Sequence, residues 1–100
     1  MTRDEILDTA KNLISGQRAQ DYGDANDNFS RIAESWTWWL KTRLSSDITP
    51  NDVAMMMILL KMSRLINTPL HEDSYYDLCG YAALAGELVS DHGIQKEMEK

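Results

Sequence analysis

Thr49-Pro-Asn-Asp-Val-Ala-Met-Met-Met-Ile-Leu-Leu60 is the stretch that decides how this chain folds. Thr49 can cap a helix, Pro50 suits a first helical turn because no amide bond is lost there, and Asp52 is favourable at the positive end of the helix dipole. The residues from Val53 to Leu60 then include no polar side chain. The stretch therefore predicts a helix that other helices touch on most sides, which would make it the central one.

Three further helical segments are indicated by apolar residues recurring at intervals of three and four. We expect helices from Thr2 to Ser15, from Asp24 to Leu44, and from Glu72 or Asp73 to about Ser90. Asn67-Thr-Pro69 ends the central helix, and Gly80 within the last helix predicts the close approach of another helix.

The predicted fold class is all-α, with these helices forming a compact four-helix up-down-up-down bundle. Residues 1–92 would form this single domain. His92-Gly93 breaks the helical pattern, so residues 93–100 are expected to be a frayed C-terminal tail, flexible or weakly docked.

Composition argues against several classes of protein. The chain has 100 residues and a net charge of −6, and it lacks the clustered cations that phosphate backbones require, so we expect no nucleic-acid partner. Its longest apolar run is far shorter than the roughly 20 residues that span a bilayer, and the N-terminus lacks the pattern of a signal peptide. Cys79 is the single cysteine, which excludes an internal disulfide. We therefore expect a cytoplasmic protein without a membrane partner.

Two tryptophans of the second helix lie off its core stripe. That stripe comprises Phe29, Ile32, Ala33, Trp36 and Leu40. Trp38 and Trp39 would form a second large apolar area that a four-helix monomer can hardly cover, which predicts an interface and a homodimer. The alternative is that Trp39 completes the core and Trp38 lies flat on the surface.

Polar residues from three helices are predicted to meet at one end of the bundle. An up-down-up-down topology brings together the start of the second helix, the end of the third and the start of the fourth. Asp73 and Asp77 share a helical face with Tyr81, so both carboxylates should point inward. Hairpin geometry then places Arg64 level with Asp73, and Lys61 level with Asp77.

This polar end has two interpretations. In the structural one, Arg64 and Lys61 neutralise the two aspartates and fix the register of the hairpin. In the functional one, carboxylates hold Mg²⁺ and the two cations bind the phosphate of a nucleotide. The metal ligands would be Asp73, Asp77 and Asp24, the phosphate contacts Lys61 and Arg64, and the residues next to the ligand Tyr22, Asn28, His71 and Tyr81. No residue is assigned a catalytic role.

Four blocks of the sequence resemble a family of small phage and prophage proteins of unknown function. They are Tyr22-Gly-Asp24 with Asn28-Phe29, Ile48-Thr-Pro-x-Asp52-Val-Ala54, Lys61-x-x-Arg64-Leu65, and Asp73-Ser-Tyr-Tyr-Asp77-Leu-x-Gly80-Tyr-Ala82. The second half is more loosely similar to the MazG-type all-α nucleoside triphosphate pyrophosphohydrolases and the nucleotide-modification-associated group. That looser resemblance implies magnesium-dependent cleavage between the α and β phosphates of a nucleotide.

The chain departs from the pyrophosphohydrolase pattern on its second helix. Those enzymes carry a Glu-x-x-Glu pair on one helix and a Glu-x-x-Asp pair on the next, whereas this chain offers Asp24, Asp27 and Glu34. Whether the chain is an enzyme is therefore left open. The rival interpretation is a non-enzymatic, homo-oligomeric interaction or regulatory protein that docks a host or phage protein through its acidic surface and its tryptophans. For a phage protein, the expected location is the cytoplasm of the host cell.

Overall fold

The computed structural model describes residues 1–16 and 24–91, and in these ranges the chain is helical without any strand. Helix α1 spans Arg3–Ser15, α2 Ala25–Leu40, α3 Pro50–Asn67 and α4 Glu72–Asp91, and a short 3-10 helix, Lys41–Arg43, follows α2. The predicted all-α fold is confirmed. None of these helices is both long enough and apolar enough to cross a membrane. The predicted tail at residues 93–100 lies outside the described residues, so the division of the chain at residue 92 stays a prediction.

The predicted starts of α1 and α3 are confirmed by their caps. At α3, the Asp52 amide donates to Thr49 Oγ1 at 3.1 Å and the Thr49 amide donates to Asp52 Oδ2 at 2.9 Å, which is a complete capping box. At α1, the Glu5 amide donates to Thr2 Oγ1 at 3.2 Å. These bonds satisfy amides that have no partner within the helix.

Helix α2 ends four residues earlier than the sequence predicts, at Leu40 instead of Leu44. Leu44 already has an extended backbone, with φ −102° and ψ 143°. The cause lies in the loop that follows, because the Ile48 amide donates to Thr37 Oγ1 at 2.9 Å and folds the chain back along α2. This return places the start of α3 beside the last turns of α2.

Helices α3 and α4 form an antiparallel hairpin. Asn51 Nδ2 donates to the Ala85 carbonyl at 2.8 Å near one end, and Lys61 Nζ lies 2.9 Å from Asp77 Oδ2 further along. The higher residue number on α3 pairs with the lower residue number on α4, so the two helices run in opposite directions. The predicted level of Lys61 with Asp77 is confirmed.

The buried core lies at the end of this hairpin where α3 begins and α4 ends. Its fully packed residues are contributed by α2, α3 and α4, and they are Phe29, Ala33, Val53, Ala54, Ala85 and Leu88. Next to this cluster, the Phe29 and Tyr81 rings lie 6.3 Å apart between centroids. The apolar cluster therefore stabilises one end of the hairpin and leaves the other end polar.

The central helix is α4. It packs against α1, α2 and α3, whereas α1 packs only against α4 among the described elements. The prediction that α3 is touched on most sides is wrong. Because α1 lies on α4, one face of α3 has no neighbour in the described structure, and its exposed side chains are Met55, Met56, Leu59, Leu60, Met62 and Ile66.

Gly80 is where α1 meets α4, as its position in the sequence predicts. The residue is buried, and a Cβ placed on it would lie 3.0 Å from Ile14 Cγ2. That separation is shorter than ordinary van der Waals contact. The close approach of the two helices therefore depends on the missing side chain.

We expect Gly80→Ala to destabilise the protein and Gly86→Ala to stabilise it. Alanine in a helix interior gains up to about 1 kcal/mol over glycine, but an extra methyl in a packed interface costs about 1–3 kcal/mol. A Cβ at Gly86 meets nothing within 4 Å, so this position on the same helix receives the gain alone. Urea unfolding monitored by circular dichroism measures both free energies. Equal stabilisation by the two substitutions would contradict the Ile14 contact.

We expect Asp77→Asn to destabilise the protein without any ligand, because it leaves Lys61 half-buried and unpaired. The two side chains retain 20% and 13% exposure. The expected loss is therefore about 1–3 kcal/mol, below the roughly 3–5 kcal/mol of a fully buried pair. Thermal unfolding measures it, with Asp73→Asn as the exposed control, expected within about 0.5 kcal/mol of the native chain. Unchanged stability of Asp77→Asn would show that the pair is not structural.

Candidate functional site

The polar end of the hairpin is built around the turn between α3 and α4. The Thr68 amide donates to the Arg64 carbonyl at 2.9 Å, and the His71 amide donates to the Thr68 carbonyl at 3.1 Å. Tyr75 Oη also donates to the Pro69 carbonyl at 2.9 Å. These bonds hold the last turn of α3 and the residue before α4 in a fixed relation.

His71 is oriented by a buried hydroxyl group. Its Nδ1 lies 2.8 Å from Ser74 Oγ, and Ser74 is fully buried. The Ser74 amide also donates to the His71 carbonyl at 3.2 Å, so the two residues are joined twice at the start of α4. The second ring nitrogen, Nε2, remains as the hydrogen-bonding atom that this pair does not use.

A surface cleft of about 370 Å³ opens at this end of the hairpin. Its lining consists of one apolar and five polar residues, which are Leu60, Ser63, Arg64, Asn67, Thr68 and His71. Each of the five polar side chains can donate a hydrogen bond, and no carboxylate lines the cleft. We call this feature the hairpin cleft. Its donors suit an anionic group.

The two predicted phosphate contacts have different environments. Lys61 is half-buried and forms an ion pair with Asp77. This is the one ion pair that the structure gives for the described residues. Arg64 is exposed and lines the hairpin cleft, without the predicted Asp73 partner. The structural interpretation therefore accounts for Lys61 and Asp77 but not for Arg64.

Asp73 is exposed, so the prediction that it points inward is wrong, whereas Asp77 is half-buried. The reason is helical geometry. A step of four residues turns a helix about 40° beyond a full circle, so Asp73 lies about 80° behind Tyr81 on α4. Ser74, on the other side of this face, takes the inward position instead.

The remaining predicted site residues that the structure describes do not line the hairpin cleft. Asp24 is the exposed N-cap residue of α2, and its side chain makes no cap bond. Asn28 is half-buried on the first turns of α2, and Tyr81 packs against Phe29. Tyr22 lies outside the described residues.

A metal site is not assembled in the parts of the chain that the structure describes. Across residues 1–16 and 24–91, no three His, Cys, Asp or Glu side chains are grouped so that they could hold a metal ion. Asp24, Asp73 and Asp77 therefore do not form a three-carboxylate cage here. Binding of Mg²⁺ stays a prediction.

Carboxylates at this end of the molecule surround Tyr76. Tyr76 Oη donates to Glu72 Oε2 at 3.3 Å. Partial burial, followed by the charges of Glu72, Asp73 and Glu5, raises the pKa of the Tyr76 hydroxyl above its usual value. These carboxylates are absent from the lining of the hairpin cleft.

Sequence reasoning missed the neutral donors of the hairpin cleft. Ser63 lies next to the predicted Lys61-x-x-Arg64 block, and Asn67 with Thr68 belongs to the segment that was interpreted only as a helix stop. The sequence signal that could have revealed them is the presence of three polar side chains, Ser63, Asn67 and Thr68, within five residues of Arg64. Their convergence with His71 depends on the turn, which the sequence pattern does not specify.

The tryptophans lie where the sequence predicts an uncovered apolar area. Trp38 is 74% exposed and Trp39 is 77% exposed. The alternative in which Trp39 completes the monomer core is therefore wrong. A partner that covers these side chains stays a prediction.

Two curated relatives are phage proteins. The chain is 49% identical over 79 residues to the Gene 55 protein of Mycobacterium phage L5, and 42% identical over 88 residues to the Gene 55 protein of Mycobacterium phage D29. These alignments cover 79% and 88% of this chain but 49% and 56% of the relatives. The chain thus spans about half the length of the curated relatives it matches. No solved structure matches it.

The resemblance to phage proteins of unknown function is confirmed by these relatives and by a family model. The looser resemblance to MazG-type enzymes has no counterpart among the matches and stays a prediction. The family model covers residues 5–89, which include most of α1, all of α2 and α3, and α4 up to its last turn. The chain therefore belongs to the family described as "Domain of unknown function (DUF6378)".

Proposed function

We propose that this chain binds the phosphate group of a nucleotide in the hairpin cleft. The single observation that carries this proposal is the composition of the lining. The chain has 16 acidic residues against 10 basic ones, yet the cleft is lined by an arginine, a histidine and three neutral donors without any carboxylate. An anionic group would meet complementary charge here and repulsion over much of the remaining surface.

Arg64 would be the principal phosphate contact. Its guanidinium group presents donors in a planar fork that matches two phosphate oxygens at once, and the described structure gives it no competing carboxylate. Ser63, Asn67 and Thr68 supply neutral donors on the same side of the turn. The proposal assigns no phosphate contact to Lys61, because Asp77 already engages it.

The size of the hairpin cleft fits part of a nucleotide. A volume of about 370 Å³ lies at the lower end of the roughly 300–1,000 Å³ that is typical of small-molecule sites. Leu60 lines the cleft and offers an apolar contact for a base. The phosphate would bind at Arg64 and His71.

Mg²⁺ would enter with the ligand instead of occupying a protein cage. The ion commonly uses one or two protein carboxylates and completes its shell with phosphate oxygens and water. Asp73 would be that carboxylate, because it is exposed two residues after His71, whereas Glu72 beside it already accepts a hydrogen bond from Tyr76. Hydrolysis of the pyrophosphohydrolase type would need further carboxylates, so the proposal is binding, with turnover as a separate outcome of the test.

We expect Arg64→Met to lower the affinity for nucleoside triphosphates at least tenfold. The reason is the loss of two charge-assisted hydrogen bonds to phosphate. Thermal shift and calorimetric titration with a panel of nucleoside triphosphates measure it, with Mg²⁺ or with a chelator. Arg43→Met is the matched control, since Arg43 is also exposed but lies in the 3-10 helix after α2.

Three results would decide the details of this proposal. Loss of the shift in Asp73→Asn only when Mg²⁺ is present would support the metal role. Release of pyrophosphate by the native chain would add turnover to binding. Absence of any shift with every triphosphate and with inorganic pyrophosphate, or an equal shift for Arg64→Met, would overturn the proposal.

A second candidate function is the docking of another protein, and the exposure of Trp38 and Trp39 favours it. Tryptophan side chains are enriched among the residues that dominate binding energy at protein interfaces. Both rings belong to the last turns of α2, away from the turn that forms the hairpin cleft. The two functions would therefore use separate surfaces.

We expect the double substitution Trp38→Ser and Trp39→Ser to leave the melting temperature within about 2 °C of the native value, because both rings are exposed. A photoreactive side chain at position 38 or 39 should capture a partner in host cells, and one at the exposed Lys11 of α1, which does not pack against α2, should not. The captured protein, once purified, should bind the native chain but not the double variant. Equal capture from position 11 would contradict this function.

A further inference from the structure

The exposed face of α3 contains a continuous apolar seam. Met55, Leu59, Met62 and Ile66 follow each other at intervals of four, three and four residues. Their exposed fractions are 47%, 62%, 50% and 85%. We call these four residues the α3 seam. This spacing is that of the contact positions in a coiled coil, where one helix packs lengthwise against another.

The α3 seam is flanked by uncharged side chains. Met56 and Ser63 lie on one side of it, and the half-buried Ile58 and Leu65 lie on the other. No carboxylate occurs in α3 after Asp52, and Lys61 is turned away toward Asp77. Two copies of this acidic chain could therefore meet along the seam without placing like charges in contact.

The exposed apolar area on α3 is of the size that a small dimer needs. Besides the seam, Met56 is 41% exposed. At ordinary side-chain areas, these five residues leave roughly 550 Å² open, close to the roughly 600 Å² per partner at the lower limit of a standard interface. In the described structure α1 does not cover this face, since it packs on α4 alone.

We propose that the α3 seam is the contact surface between two copies of this chain, related by a two-fold axis. An antiparallel pair of α3 helices places Leu59 of one copy opposite Met62 of the other, and Met55 opposite Ile66. The four residues are symmetric about the point between positions 60 and 61, so one axis satisfies both pairs of contacts. Opposed helix dipoles favour this direction over a parallel one.

This inference moves the homodimer interface away from Trp38 and Trp39. Those rings lie on α2, where a dimer was predicted from the sequence, whereas the seam runs for about 16 Å along α3. None of the four seam residues lines the hairpin cleft, so phosphate binding and dimer formation can be tested independently. Failure of either proposal leaves the other unaffected.

The test is the molecular mass of the native chain and of two matched variants. Sedimentation equilibrium from low micromolar to millimolar concentration should give twice the chain mass of 11.4 kDa. Leu59→Lys should weaken the dimer at least tenfold, because it places two cations within the seam. Leu7→Lys should leave the dimer intact, since Leu7 is 58% exposed, close to the 62% of Leu59, but lies on α1.

Circular dichroism of both variants checks that they remain folded, which is expected because both leucines are exposed. Three outcomes would overturn the proposal: a monomer at every concentration, a dimer that Leu59→Lys does not weaken, or a dimer that Leu7→Lys weakens equally. A monomer whose melting temperature falls with Leu59→Lys would indicate that the same chain covers the seam instead. Dissociation by Trp39→Lys without an effect of Leu59→Lys would return the interface to α2.

Discussion

The antiparallel contact between α3 and α4 is the constraint on which the rest of the structure depends. It is fixed near one end by the Asn51 amide bond to the Ala85 carbonyl, and further along by the Lys61–Asp77 ion pair. Helix α2 packs mainly on α3 and α1 on α4, so both outer helices take their positions from this hairpin. The turn that joins the two helices also brings Arg64 and His71 to one cleft.

The core and the candidate site lie at opposite ends of the hairpin. Small residues such as Ala54 and Ala85 allow close packing where α3 begins and α4 ends, and the cluster there is fully apolar. At the other end, hydrogen bonds across the turn replace apolar packing, as between His71 and Ser74. Substitutions in the hairpin cleft should therefore leave the apolar cluster intact.

Local signals in the sequence predicted the helices because their causes are local. The Thr49 cap, the Pro50 start and the spacing of Phe29 and Ala33 act over a few residues, and the structure agrees with them. The prediction that failed was that other helices touch α3 on most sides. An apolar run from Val53 to Leu60 does not indicate which faces of the helix another helix covers. At the site, hairpin geometry correctly predicted Lys61 level with Asp77. The i+4 interval misplaced Asp73, because a rotation of about 40° accumulates with each step of four residues toward the helix start.

The contact pattern of α4 has a consequence for how the chain loses its structure. Helices α1 and α2 do not touch each other in the described structure, and α1 is attached to the remainder through α4 alone, with Gly80 and Ile14 at its close approach. Detachment of α1 would therefore leave the α2–α3–α4 cluster whole. The described helices thus form two packing units that share α4, and amide hydrogen exchange would be expected first in α1.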